Sequence, residues 1–223
     1  MTARAMPHLL VTNDFPPKVG GIQNYLWELW RRLPPDETTV LTTAYPGAAA
    51  FDAKQAFRVE RVGQRVLVPS PALVARIDAL ADEVAAKVVL LDPIVWPPLG
   101  LLGPRLRRPY AVVLHGAEVT VPARLPGASL AVAKAVRGAC HVVSAGAYAA
   151  AEAERVAGAG MPPTTIVPPG VDTDRFRPFS PTERHAARAR FGLPQDAPVV
   201  VGMSRLVPRK GFDVVIDAAA ELV

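Results

Sequence analysis

An α/β protein built on a parallel sheet is what this 223-residue sequence predicts. Three observations predict it. Short apolar runs alternate with helix-spaced segments from His8 to Val167. Two of the runs, Val88-Val89-Leu90-Leu91 and Tyr110-Ala111-Val112-Val113-Leu114, are unbroken, as suits strands covered by helices on both faces. Two strand-to-helix turns carry phosphate-type signals, Gly20-Gly21 near the start and Arg205 with Lys210 near the end. At such turns backbone N–H groups and the helix dipole favour an anion, and Arg or Lys adds charge.

The elements follow in order. His8-Leu9-Leu10-Val11-Thr12 reads as the first strand, and 22–33 as a helix with Ile22, Leu26, Leu29, Trp30 and Leu33 at helical spacing. Thr38–Thr42 is the next strand. Phe57–Val62 alternates with period two, as a half-exposed strand should. A helix over 72–85 precedes the strand 88–91. After the strand 110–114 come a helix over 128–136, a strand over 140–143, a helix over 147–157 and a strand over 165–167. Strand and helix in turn mean βαβ units with helices on both faces of the sheet. The segment 173–197 is polar and Pro-rich, with one short helix over 181–191, and reads as a linker. Val199–Met203 then reads as a fresh strand and 212–223 as a helix. The expected organisation is a first domain over 1–172, a linker over 173–197 and the opening βα unit of a second domain over 198–223. One strand makes no sheet, so the second domain is expected to be incomplete, with Val199, Val200, Val201 and Phe212 poorly buried.

Half the residues are hydrophobic, enough for a sizeable core, and the formal net charge is +5. That charge fits an anionic partner or an ordinary solvated surface. The single cysteine, Cys140, excludes a disulfide within the chain and fits a reducing cytoplasm. Cys140 opens an apolar run and is expected to be a buried small hydrophobe. No signal-peptide pattern stands at the start. No segment has the roughly 18 unbroken apolar residues of a membrane span, and 94–103 is interrupted by Pro97, Pro98 and Gly100.

Three groups could carry chemistry. Gly20 and Gly21 let the backbone approach a ligand and adopt positive φ; an ordinary tight turn is the alternative. The spacing is neither GxGxxG nor a Walker pattern. His115 follows the strand 110–114, so it stands at the carboxyl end of a parallel strand, where ligands of open α/β sheets bind. Gly116 permits a sharp exit. Such a histidine can donate to a substrate hydroxyl or act as acid or base, and its removal is then expected to spare stability; a histidine capping loop carbonyls is the alternative. Arg205 and Lys210 crowd a helix N-terminus, a conflict with the dipole that a diphosphate would relieve; a solvated loop is the alternative. Arg209 reads as solvated. His8, His141 and His185 read as structural, and no spacing suggests a metal. Ser144 lacks the G-x-S-x-G context of a nucleophile. Arg105, Arg107 and Arg108 form a basic cluster that could meet anionic lipid headgroups or simply be solvated.

Taken together, Phe15-Pro16-Pro17…Gly20-Gly21-Ile22, His115-Gly116-Ala117-Glu118, Pro169-Gly170-Val171-Asp172 and Ser204-Arg205-Leu206-Val207-Pro208-Arg209-Lys210-Gly211 resemble the retaining glycosyltransferases of the GT-B fold that use nucleotide sugars. More narrowly, the chain resembles the GDP-mannose-dependent phosphatidyl-myo-inositol mannosyltransferases, in particular the type that adds the second mannose. The resemblance implies a Rossmann-like first domain and the start of a second. It implies that Arg205 and Lys210 bind the donor diphosphate, that the Gly20-Gly21 loop closes over the phosphates and sugar, that His115 bonds the transferred sugar, and that Asp14 lies on the acceptor side. It implies a GDP-mannose donor, no metal or other cofactor, an inositol glycolipid acceptor, no nucleic-acid partner, and a cytoplasmic protein peripheral to the inner membrane face. A soluble acceptor such as an inositol phosphate, or a non-catalytic acceptor- or membrane-binding fragment, remains the alternative. The family's Glu-x7-Glu motif is absent from these residues, as is the base-reading pocket.

Overall fold

The structure, a computed structural model, describes residues 6–92, 98–125 and 127–219. The chain divides into two compact units, one running to Gly170 and the other from Val171. The first unit is a seven-stranded sheet in the order β3-β2-β1-β4-β5-β6-β7. The strands are β1 (His8–Thr12), β2 (Thr38–Thr43), β3 (Arg58–Val62), β4 (Val88–Asp92), β5 (Tyr110–Leu114), β6 (His141–Ser144) and β7 (Thr164–Ile166). Every pairing is parallel.

The central strands are apolar along most of their length because both of their faces are covered, and β1 and β4 end on the polar residues Thr12 and Asp92. Leu9 and Val11 of β1 and Val112 and Leu114 of β5 pack on one side, against Ile77, Leu80 and Ala81 of α3 (Pro71–Glu83), Val132 and Val136 of α5 (Ala128–Arg137) and Ala149 and Ala153 of α6 (Ala147–Ala157). Leu10 and Val113 point the other way, onto Tyr25, Leu26 and Trp30 of α1 (Gly21–Trp30) with Phe15 and Phe57. This is the period-two alternation of a strand serving two cores. The edge strand β3 is only partly buried, as its alternating sequence requires.

Local signals set the helix ends. Ser70 accepts the Leu73 amide and Pro71 occupies the first turn, which starts α3. Gly158, at φ 56, ends α6. The Tyr110 ring fills the space a side chain would take at Gly103, where an added Cβ would lie 2.3 Å from it. Burial pushes the Tyr110 hydroxyl up to about 12, while it donates to Ala135 O at 2.8 Å.

Two short helices carry no clear periodic signal in the sequence, α2 (Ala48–Asp52) and α4 (Ala117–Thr120). The interrupted apolar stretch becomes a 3-10 helix over Leu99–Arg105, and its residues 94–97 lie outside the described residues. Cys140 corrects its expectation: it is exposed. It stands just before β6, where its N–H donates to Tyr110 O at 2.8 Å and its side chain is left outside the sheet.

The second unit holds α7 (Pro181–Arg190) and α8 (Phe212–Ala219). α7 begins with a capping box in which Ser180 and Glu183 satisfy each other's backbone amides. The strand expected over 199–203 is not formed. A strand needs a partner for its N–H and C=O groups, and none pairs with this segment among the described residues. Val200 and Val201 are 80% and 81% exposed. The helix expected to run to 223 is described to Ala219; its last residues lie outside the described set.

Candidate functional site

Strand order reverses direction between β1 and β4, which makes their carboxyl ends the crevice where open α/β sheets take ligands. Thr12 closes β1 and Asp92 closes β4, and they are direct partners in the ladder. His115 leaves the end of β5 beside them, and Gly116 turns the chain at φ 155, a region that favours glycine.

These residues form one hydrogen-bonded chain. The Asp14 amide donates to Thr12 Oγ1 at 2.9 Å. Thr12 Oγ1 donates to Asp92 Oδ2 at 2.7 Å. His115 Nε2 lies 2.8 Å from Asp92 Oδ1, and the side chains are 6% and 0% exposed. The Tyr25 ring meets the His115 ring edge-on, centroids 5.3 Å apart. Tyr25 is itself tied through its hydroxyl to Val167 O at 2.8 Å. Burial, and then the Asp92 charge, push the Tyr25 hydroxyl above its ordinary value. His115 is therefore built into the fold. The expectation that its removal spares stability is corrected, because the fully buried Asp92 carboxylate would lose a partner.

The loop after β1 is held at several points. Asn13 exchanges two bonds with Leu67, its Oδ1 accepting the Leu67 amide at 2.6 Å and its Nδ2 donating to Leu67 O at 3.3 Å. Arg61 is 11% exposed and grips Asp52 through two bonds of 2.7 and 2.8 Å. The same guanidinium donates to Thr43 O at 2.8 Å and to Pro16 O at 2.6 Å. Asp14 pairs with Lys18 at 2.8 Å and accepts from Gln23. Gly20 is extended, at φ 170, and Gly21 is the first residue of α1. Neither uses the positive φ expected of the pair. Gly20 instead leaves room for Gln23, whose Oε1 would lie 2.1 Å from an added Cβ. A groove of about 510 Å³ opens next to this loop, between β3 and α3, lined by Arg61, Val66, Leu67, Val68, Leu73 and Arg76.

In the second unit Arg205 and Lys210 are exposed, and Gly211, at φ 64, connects the turn Pro208–Lys210 to α8. The basic cluster of the first unit is largely neutralised. Arg107 pairs with Asp82 at 2.6 Å and Asp78 at 3.4 Å, and Arg108 pairs with Asp82 at 2.9 Å. Arg105 is exposed, with no ion pair among the described residues. No grouping of His, Cys, Asp or Glu suited to a metal occurs among the described residues. No described helix is long and apolar enough to cross a membrane.

The sequence singles out His115; Asp92 and Thr12, which the structure places against it, and Arg61, which braces the loop after β1, are not singled out by it. The polar residues ending two apolar runs were the available signal for Asp92 and Thr12.

Comparison with known proteins agrees with this architecture. The chain is 41% identical, over 96% of its length, to a GDP-mannose-dependent alpha-(1-6)-phosphatidylinositol monomannoside mannosyltransferase of Mycolicibacterium smegmatis, and spans 56% of that protein. A monoacylated-acceptor counterpart from Corynebacterium glutamicum is 30% identical over 96% of the chain, which spans 57% of it. A D-inositol 3-phosphate glycosyltransferase of Catenulispora acidiphila is 46% identical, but over 33% of the chain and 17% of its own length. The chain thus spans a little over half of the relatives it matches along its length. Among solved structures, Anabaena HepE in complex with UDP superposes with a TM-score of 0.71 at 20% identity, over 97% of this chain and 58% of that one. A Rickettsia africae glycosyltransferase superposes at 0.65 with 15% identity, over 97% and 57%. These two likenesses show a shared fold. The profile of Glycosyltransferase Family 4 matches residues 19–175, and the chain belongs to that family.

Proposed function

We propose that this chain is the acceptor-side part of a retaining mannosyltransferase that moves mannose from GDP-mannose to a phosphatidyl-myo-inositol mannoside. The observation that carries the reading is the 41% identity along 96% of the chain to a relative of that named activity. In this reading residues 1–172 form the acceptor-side domain, 173–197 the linker, and 198–223 the opening of the nucleotide-sugar domain.

The residue roles are those the resemblance to retaining GT-B glycosyltransferases implies. Arg205 and Lys210 bind the donor diphosphate, and positive side chains stabilise it as it departs. Gly20 and Gly21 stand at the N-terminus of α1, where backbone amides favour phosphate oxygens. His115 bonds the transferred sugar near the reacting carbon. Attack comes from the face the diphosphate leaves, through an oxocarbenium-like transition state, and the leaving phosphate takes the acceptor proton. No pair of catalytic carboxylates is then needed. Asp14 and the groove beside β3 serve the acceptor. Peripheral membrane contact rests on Arg105, because Arg107 and Arg108 are ion-paired.

The test is a chimera in which this chain replaces the matching part of the Mycolicibacterium relative. It is assayed with GDP-mannose and UDP sugars against phosphatidylinositol monomannoside and inositol phosphate. Mannose transfer to the lipid supports the reading. Transfer to inositol phosphate establishes the soluble-acceptor alternative, and no transfer by a folded chimera supports the non-catalytic one.

A further inference from the structure

Asp92 is a carboxylate with 0% exposure at the carboxyl end of the central strand β4. Such a group is costly unless its oxygens are bonded, and both are. Oδ2 accepts from Thr12 Oγ1 at 2.7 Å and Oδ1 lies 2.8 Å from His115 Nε2. The Thr12 hydroxyl has its own direction set, since its oxygen accepts the Asp14 amide at 2.9 Å and its proton is left for Asp92. A carboxylate can only accept. The hydrogen bond between His115 and Asp92 therefore has its proton on His115 Nε2.

The ring is fixed from a second side by Tyr25, 86° to its plane and anchored to Val167 O. β1, β4 and α1 all act on one imidazole.

We propose that Asp92 and Thr12 are positioning residues that hold His115 with its proton on Nε2, aimed into the fold and backed by a negative charge. Nε2 is then not the atom that meets a substrate. On the mannosyltransferase reading, on which this consequence rests, the carboxylate behind the ring also favours positive charge growing on the sugar as an anionic group departs.

The test begins with proton NMR of the 223-residue chain. Its four imidazoles are told apart by single His8→Gln, His141→Gln and His185→Gln variants. The expected result is a downfield His115 Hε2 line that exchanges slowly with water. Thr12→Val should shift that line, and Thr12→Ser, which keeps the hydroxyl, should leave it near its original place. Asp92→Asn should move it upfield or abolish it. A wild-type chain without a protected His115 Hε2 line overturns the proposal. So does a line indifferent to Thr12→Val, which carries the test should Asp92→Asn not fold. In the transfer assay above, Thr12→Val and Asp92→Asn should lower kcat by roughly 10–100-fold with little change in KM, as loss of a partner behind a working histidine does. Unchanged kcat in both folded variants overturns the positioning role. A protected, Asp92-dependent line in a chain whose chimera transfers nothing supports the geometry and refutes the enzymatic reading instead.

Discussion

Replacing His115 by alanine tests how far the site is also a structural joint. The substitution strips one partner from an Asp92 carboxylate that has no contact with water. Breaking a buried charged pair in this way costs about 3–5 kcal/mol. The Thr12 bond to the other oxygen survives, which favours the lower end of that range. Loss of the edge-on contact with Tyr25 adds about 0.5–1.5 kcal/mol. A total near 4 kcal/mol should lower the melting temperature by roughly 10 °C, since about 1 kcal/mol moves a domain of this size by 2–4 °C. Urea denaturation followed by tryptophan fluorescence reports on it, because Trp27 and Trp30 lie on α1, which carries Tyr25. The origin of the cost is separable. In an Asp92→Asn background no buried charge remains to be stranded, so the same truncation should cost only about 1–2 kcal/mol. The cycle should therefore show a coupling of about 2 kcal/mol, and additivity within about 0.5 kcal/mol would refute the buried-charge argument.

Arg61→Ala should destabilise the first unit by about 2–4 kcal/mol, because it strands Asp52 and frees two carbonyl acceptors. Hydrogen exchange of the loop 13–20 should rise in this variant, and unchanged protection there would remove the strut role. In a chimera with transfer activity, Lys210→Ala should cost about 2–5 kcal/mol of transition-state stabilisation; wild-type kcat/KM would end the diphosphate assignment. Arg177 and the Ser180 cap hold the Glu183 carboxyl down at about 2, from an ordinary 4.5. A depressed folded value means the contribution is present above 4.5 and lost as pH falls through about 2. Helix α7 should then begin to fray in that acid window, and an NMR titration of Glu183 with a midpoint near 4.5 would contradict the pairing. Binding of the chain to anionic vesicles over neutral ones should reflect about one free charge, roughly 1 kcal/mol at low salt. A preference worth three charges in co-sedimentation would mean that Arg107 and Arg108 leave their aspartates.

What the sequence could disclose depended on whether a feature was local. β5 and α6 were legible to the residue, since burial on two faces or one writes itself as an unbroken run or a 3.6 period. Val199–Met203 carries the same apolar signature as β5 and is irregular, because a strand is a property of a pair and this run has no partner among the described residues. The glycine pair does stand at the start of α1, but without the positive φ expected of it: the backbone is extended at Gly20, and the missing side chain makes room for Gln23. The site shows the same limit most clearly. His115 was found because it ends an apolar run. Thr12 and Asp92 end two others and passed unnoticed, because their meaning depends on β4 inserting next to β1 rather than following β3 in space. That order brings residues 80 positions apart to 2.7 Å. It also sets the polar ends of β1, β4 and β5 against one another at the reversal point. A polar residue closing an apolar run is uninformative alone. Several such residues in one chain become informative once strand order shows which of them are neighbours.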